Sequence, residues 1–101
     1  MTAAEIDVPH ALVRVLEEAG IEFVFGMPGG DTGRIFDALY DSSLVRTILV
    51  RHEQVGSIMA EMCGRLTGKP GVVMGQGIFL ACNALFGTLE AVKGADRKSV
   101  V

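Results

Sequence analysis

The chain has only two cysteines, two histidines and no cluster of basic residues, and each shortage removes a class of function. Cys63 and Cys82 lack metal-site spacing and have no disulfide framework around them, so reduced thiols are expected. His10 and His52 lie too far apart in sequence to build a Ser-His-Asp constellation or a metal cluster. A net charge of −3 without a basic patch argues against nucleic acid as a partner. No apolar run approaches the length of a membrane span, so no membrane partner is expected. The first seven residues, Met1-Thr2-Ala3-Ala4-Glu5-Ile6-Asp7, carry neither basic residues nor an apolar core of a secretory signal. The expected location is cytoplasmic.

What is present is apolar content: half of the 101 residues are hydrophobic, enough for the core of one small domain or part of a larger one. It comes in short segments of alternating period. Residues 9–19 carry Leu12, Val13 and Leu16 at helical spacing, with Pro9 suited to a first turn and Gly20 to a stop. Residues 21–25 are β-branched or aromatic and predict a strand. A glycine-rich loop at 26–33 follows, then a helix with Ile35, Phe36, Leu39 and Tyr40 as its inner face. Residues 45–50 predict a second, buried strand. The next helix places Val55, Ile58, Met59, Met62 and Leu66 on one stripe, expected to be buried. After a turn at 68–71 come a short strand at 72–74 and a last helix over 81–92, with Leu85, Leu89 and Val92 inward. This α-β-α-β-α-β-α order predicts an α/β fold: a parallel sheet flanked by helices, an incomplete three-layer α/β/α domain. Three strands with uncovered edges look like the first half of such a domain.

The chemistry concentrates at strand ends. Val50-Arg51-His52-Glu53-Gln54 sets Glu53 on a strand-to-helix turn, where an α/β sheet keeps its ligands. His52 and Glu53 are adjacent and would point apart on an extended strand, so no His-Glu dyad is expected. Arg51 and Glu53 would share a face if the strand ran that far. The loop Gly26-Met27-Pro28-Gly29-Gly30-Asp31-Thr32-Gly33 links a strand to a helix but lacks the Lys of a P-loop, and Asp31 would repel a phosphate. Gly29 and Gly30 more plausibly permit positive φ or close approach, and Asp31 or Thr32 could cap the helix. Gly75-Gln76-Gly77 is a second short glycine loop, in the position of a ligand-facing turn.

Together these segments resemble the N-terminal pyrimidine-binding domain of thiamine-diphosphate enzymes, the acetolactate synthase and 2-oxo-acid decarboxylase family. The resemblance spans roughly residues 8–91. It rests on Val24-Phe25-Gly26-Met27-Pro28-Gly29-Gly30, Phe36-Asp37-Ala38-Leu39-Tyr40-Asp41, Val50-Arg51-His52-Glu53-Gln54, Arg65-Leu66-Thr67-Gly68-Lys69-Pro70-Gly71-Val72, and Asn83 with Glu90-Ala91. It implies thiamine diphosphate as cofactor and Glu53 as the catalytic carboxylate that hydrogen-bonds N1′ of the aminopyrimidine. Burial would raise the pKa of that carboxyl toward its task. The resemblance places Pro28 and Gly29 near the cofactor, Asn83 beside the aminopyrimidine, and Asp31 next to a substrate-directed position. It implies a 2-oxo acid substrate, a homo-oligomer, and Mg²⁺ with the diphosphate held by a domain absent from this chain, so that the chain alone is inactive. Where the family usually has Thr-Ser-Gly-Pro-Gly-Ala-Thr-Asn, this chain has Gln76-Gly77-Ile78-Phe79-Leu80-Ala81-Cys82-Asn83, which points to a divergent branch.

The expected organisation is a partial pyrimidine domain over residues 1–95 and a non-native tail over 96–101. The tail Asp96-Arg97-Lys98-Ser99-Val100-Val101 matches the conceptual translation of a common sequencing adapter. The competing expectation is a non-catalytic nucleotide-binding or interaction module of α/β fold, with Glu53 as a mere helix cap.

Overall fold

Asp7 starts the first helix, its carboxylate accepting the His10 backbone N–H at 2.9 Å, and a proline occupies the first turn. Gly20, at φ 77°, ends it in the left-handed region that costs other residues most. The same device closes the third helix at Gly68, φ 73°. In this computed structural model, which describes residues 5–94, the elements are α1 (Val8–Glu18), β1 (Phe23–Gly26), α2 (Gly33–Tyr40), β2 (Arg46–Leu49), α3 (Glu53–Thr67), β3 (Val72–Met74), α4 (Gly77–Asn83) and α5 (Leu85–Lys93).

The three strands are parallel in the order β2-β1-β3, with Val24 opposite both Thr47 and Val72. Successive residues of β1 face opposite layers, as a period of two requires. Val24 packs with Val13, Ile21, Ala38, Leu39, Val45 and Val72 under α1 and α2. Phe25 packs with Val50, Ala60 and Val73 under α3. Fully burying a side chain such as Leu39 or Val24 contributes about 1.5–3 kcal/mol. The expected α/β architecture, helices on both faces of a parallel sheet, is present. Because β2 and β3 lie on opposite sides of β1, the strand order reverses at β1. A crevice forms at such a switch point, outside the carboxyl ends of the strands.

Helix faces depart from expectation. On α3 the buried residues are Glu53, Gly56, Ser57, Ala60, Glu61 and Gly64, while Val55, Ile58, Met59, Met62 and Leu66 are exposed, Leu66 at 79%. The helix turns its small residues inward because α5 crosses it closely. A methyl group added to Gly87 of α5 would come within 2.6 Å of the Ser57 backbone carbon. The expected single last helix is two, broken at Ala84, and its buried residues are Gly87 and Ala91 rather than Leu85, Leu89 and Val92. Tyr40, expected inward, is 89% exposed. The expected buried strand at 45–50 is a sheet edge: Arg46, Thr47 and Leu49 are exposed, and only the flanking Val45 and Val50 are buried. The tail expected at 96–101 lies outside the described residues.

Candidate functional site

Each strand delivers one loop to the carboxyl end of the sheet. After β2, the Val50 N–H still reaches the Gly26 carbonyl at 3.1 Å, Arg51 is exposed, and His52 becomes the N-cap of α3. Its Nδ1 accepts the Gln54 N–H at 3.0 Å. β2 therefore stops before Arg51, which does not share a strand face with Glu53. Glu53 is the first residue of α3 and is buried, 8% exposed, although the outer residues of that turn are open to solvent.

Asn83, the last residue of α4, closes over it: its Nδ2 donates to Glu53 Oε1 at 2.9 Å. That amide, then Glu53's own backbone N–H, hold the carboxyl below its ordinary range. They outweigh burial, which acts to raise it, and His52 adds a further lowering pull. The expected upward shift is thus reversed, because burial here comes with a donor aimed at the charged form. Gly75, following β3, leaves room for this arrangement; a methyl there would lie 3.3 Å from Glu53 Cγ.

The loop after β1 comes from the other side. Its Gly29 N–H donates to Thr32 Oγ1 at 2.9 Å, which spends that hydroxyl inside the loop. Thr32 stands at the N-cap position of α2 without capping the helix by its side chain. Neither Gly29 nor Gly30 has positive φ. Close approach explains Gly29 alone, since an added methyl would fall 2.9 Å from Gln76 Cδ, whereas Gly30 faces open space. Pro28 and Asp31 are exposed on this loop, and no hydrogen bond joins Asp31 to Glu53 among the described residues. The structure therefore brings Glu53 and Asn83 into direct contact and leaves Pro28 and Asp31 apart from them. Gln76 is the residue that sequence reasoning passed over. Its signal was only a short glycine loop, and its meeting with Gly29 depends on β1 and β3 being neighbours.

Other hollows carry less chemistry. One of 260 Å³, lined by residues including Ile21, Cys63, Lys69 and Pro70, lies at the amino ends of β1 and β3, away from Glu53. Among the described residues, no group of three or more His, Cys, Asp or Glu side chains could hold a metal ion, and no helix is long and apolar enough to cross a membrane.

The buried Glu53 carboxyl, held by the Asn83 amide, stands at the carboxyl end of a parallel α/β sheet, by the switch point in strand order where such sheets keep their ligands. The chain belongs to the thiamine pyrophosphate enzyme family, as its N-terminal TPP binding domain, whose model matches residues 6–96. It is 45% identical over 65 residues to an acetolactate synthase of Mycobacterium avium, a match covering 64% of this chain and 10% of that protein. It is 49% identical over 63 residues to acetolactate synthase of Bacillus subtilis, covering 62% of this chain and 11% of that one. The match to acetolactate synthase 3, chloroplastic, of Brassica napus is 42% over 81 residues, covering 80% of this chain and 12% of the relative. The chain thus spans about a tenth of the length of these curated relatives. Family membership implies thiamine diphosphate as the cofactor of this domain.

The site fits that group. Glu53 is a titratable carboxyl able to share a proton with a ring nitrogen, with Oε1 engaged by Asn83 and no side-chain partner on Oε2 among the described residues.

Proposed function

We propose that the chain is the aminopyrimidine-binding part of a thiamine-diphosphate-dependent enzyme, a decarboxylase or carboligase of a 2-oxo acid. The observation that carries this reading is the buried Glu53 carboxylate, fixed by Asn83 at the carboxyl end of the sheet. Thiamine diphosphate, when bound, supplies a carbon nucleophile and an electron sink for breaking the bond beside the carbonyl. This chain contributes proton control. Glu53 is placed to share a proton with a ring nitrogen of the aminopyrimidine, donating as the carboxyl to the neutral ring and accepting as the carboxylate from the protonated one, work that an amide cannot do. Such a charge-assisted bond is worth on the order of 1.5–3 kcal/mol. Asn83 fixes the orientation of the carboxylate and keeps it charged until the ring arrives. The loop containing Pro28 and Gly29 forms the opposing wall, with Asp31 at its outer edge. In this reading diphosphate and Mg²⁺ fall to a separate domain, supplied in a homo-oligomer by a second subunit, as the family resemblance implies.

The test is Glu53→Gln in the assembled enzyme. Turnover is expected to fall by about 10²–10⁴-fold, the usual contribution of a positioned acid or base. Cofactor affinity, read by calorimetry, is expected to fall by at most about 10–10²-fold, the worth of that one hydrogen bond. Undiminished turnover in this variant would remove the assignment.

A further inference from the structure

Gln76 reaches from the end of β3 to the loop after β1 at the carboxyl end of the sheet. It follows β3 directly, yet its carboxamide lies across Gly29 of the loop after β1, close enough that a methyl on Gly29 would sit 2.9 Å from its Cδ. The preceding residue, Gly75, packs beside Glu53 Cγ. Gln76 therefore lies against the opposing wall, one residue along the chain from the glycine that packs beside Glu53. Its side chain is half-buried, it stands at the N-cap position of α4 without a side-chain cap bond, and among the described residues no hydrogen bond engages its amide. Its amide therefore remains available as a donor at the carboxyl end of the sheet.

We propose that Gln76 is a specificity-determining residue that donates, through Nε2, to an oxygen of the 2-oxo acid substrate. This rests on the reading of Glu53 given above. Burial separates the two roles. Glu53, buried, takes the ring, whereas Gln76 is more exposed and is left to meet the reacting molecule. A carboxamide can donate to such an oxygen without a charge of its own, and Gly29 leaves the space it occupies.

The experiment is steady-state kinetics with pyruvate in the thiamine-diphosphate-loaded enzyme, comparing wild type with Gln76→Glu, Gln76→Ala and Gln76→Asn. Calorimetric cofactor affinity is measured alongside. The glutamate variant keeps shape but replaces a donor by a charge. It is expected to raise KM by at least about tenfold, the worth of a hydrogen bond to a charged group, while cofactor affinity stays within about twofold. The alanine variant should raise KM by a smaller factor, and asparagine should recover part of the loss. Unchanged KM in both the glutamate and alanine variants overturns the assignment of Gln76 and leaves Glu53 untouched. A wild-type enzyme without cofactor-dependent turnover of any 2-oxo acid overturns both. A parallel loss of cofactor affinity in all three variants makes Gln76 a structural residue and also overturns the proposal.

Discussion

Asn83 and Glu53 stand thirty residues apart in the chain and are joined by a 2.9 Å hydrogen bond from amide to carboxylate, part-buried, at the point where α4 ends and α3 begins. This bond is the main cause of the lowered Glu53 pKa, and burial alone would act in the opposite sense. The carboxylate is thus both sheltered and charged.

Removing the amide should reverse the balance. Glu53 titrates below its ordinary value of 4.5 in the folded protein, so its stabilising contribution is present above 4.5 and is lost as pH falls through the lowered value. Asn83→Ala leaves burial in place without its main opponent. Asn83→Asp adds a like charge, so the carboxyl should titrate at still higher pH. The acid limb of the pH-activity profile should move upward in both variants, further in the second. An acid limb that stays put in both would mean that Asn83 does not control Glu53.

A second titratable contact lies far from the site. His10 joins Asp7, 2.6 Å from Nδ1, to Asp41, 3.0 Å from Nε2, and so ties the start of α1 to the end of α2. Both carboxylates raise the pKa of His10 above 6.5, Asp41 foremost, and Asp7 is lowered from 3.8, chiefly by the His10 backbone N–H. A raised histidine stabilises fully below 6.5 and loses its effect as pH climbs through the folded value. A lowered aspartate stabilises above 3.8 and loses its effect as pH falls through its own folded value. The clamp should therefore be strongest between those limits. Thermal melts of the chain and of His10→Gln should differ most near pH 5, a value within that window, and converge in alkali. A constant gap across the range would show that charge plays no part.

Gly87 should be intolerant of any side chain. A methyl there meets both the side chain and the backbone of Ser57, whose hydroxyl is already committed to the Gln54 carbonyl at 2.8 Å. Overpacking of this kind costs about 1–3 kcal/mol. Gly30→Ala is the control, with open space around it and no positive φ, and should stay within about 0.5 kcal/mol of wild type. Urea midpoints would compare the two directly, and equal midpoints would contradict the close α3–α5 crossing.

The outward apolar residues predict the behaviour of the chain on its own. Val55, Met59, Met62 and Leu66 of α3 and Leu85, Leu89 and Val92 of α5 are all exposed. Contiguous apolar surface on a small protein favours self-association. Sedimentation velocity should show association rising with concentration, reduced by Met62→Glu together with Leu66→Glu. A monodisperse, cooperatively unfolding monomer would refute this.

The same helices show why the sequence was legible only in part. The start and stop of α1 were readable because Pro9 and Gly20 act through their own backbones, and Gly68 works in the same way. Glu53 was readable only together with the segments around it, since an acid at a helix start is by itself an ordinary partner of the helix dipole. The buried face of α3 was not. Spacing showed an apolar stripe through Val55, Met59 and Met62, but periodicity reports only that a helix has two faces. Which face the chain keeps for itself was decided by Ser57, Gly87 and Ala91, small enough for two helices to meet. The direction of the Glu53 shift was hidden for a similar reason: Asn83 had to be brought near by the fold before its donor could count.

Glycine at 26 and 71 carries a consequence for how this gene can vary. A methyl on Gly26 would strike the Met74 carbonyl group, and one on Gly71 would come within 2.5 Å of the Ala60 carbonyl carbon. Neither obstacle is a side chain that can swing aside. In a library of every single codon change, these two positions should be nearly silent in the survivors, while the exposed Lys69, two residues before Gly71, drifts freely. Inheritance along this segment would then be constrained most where there is no side chain at all.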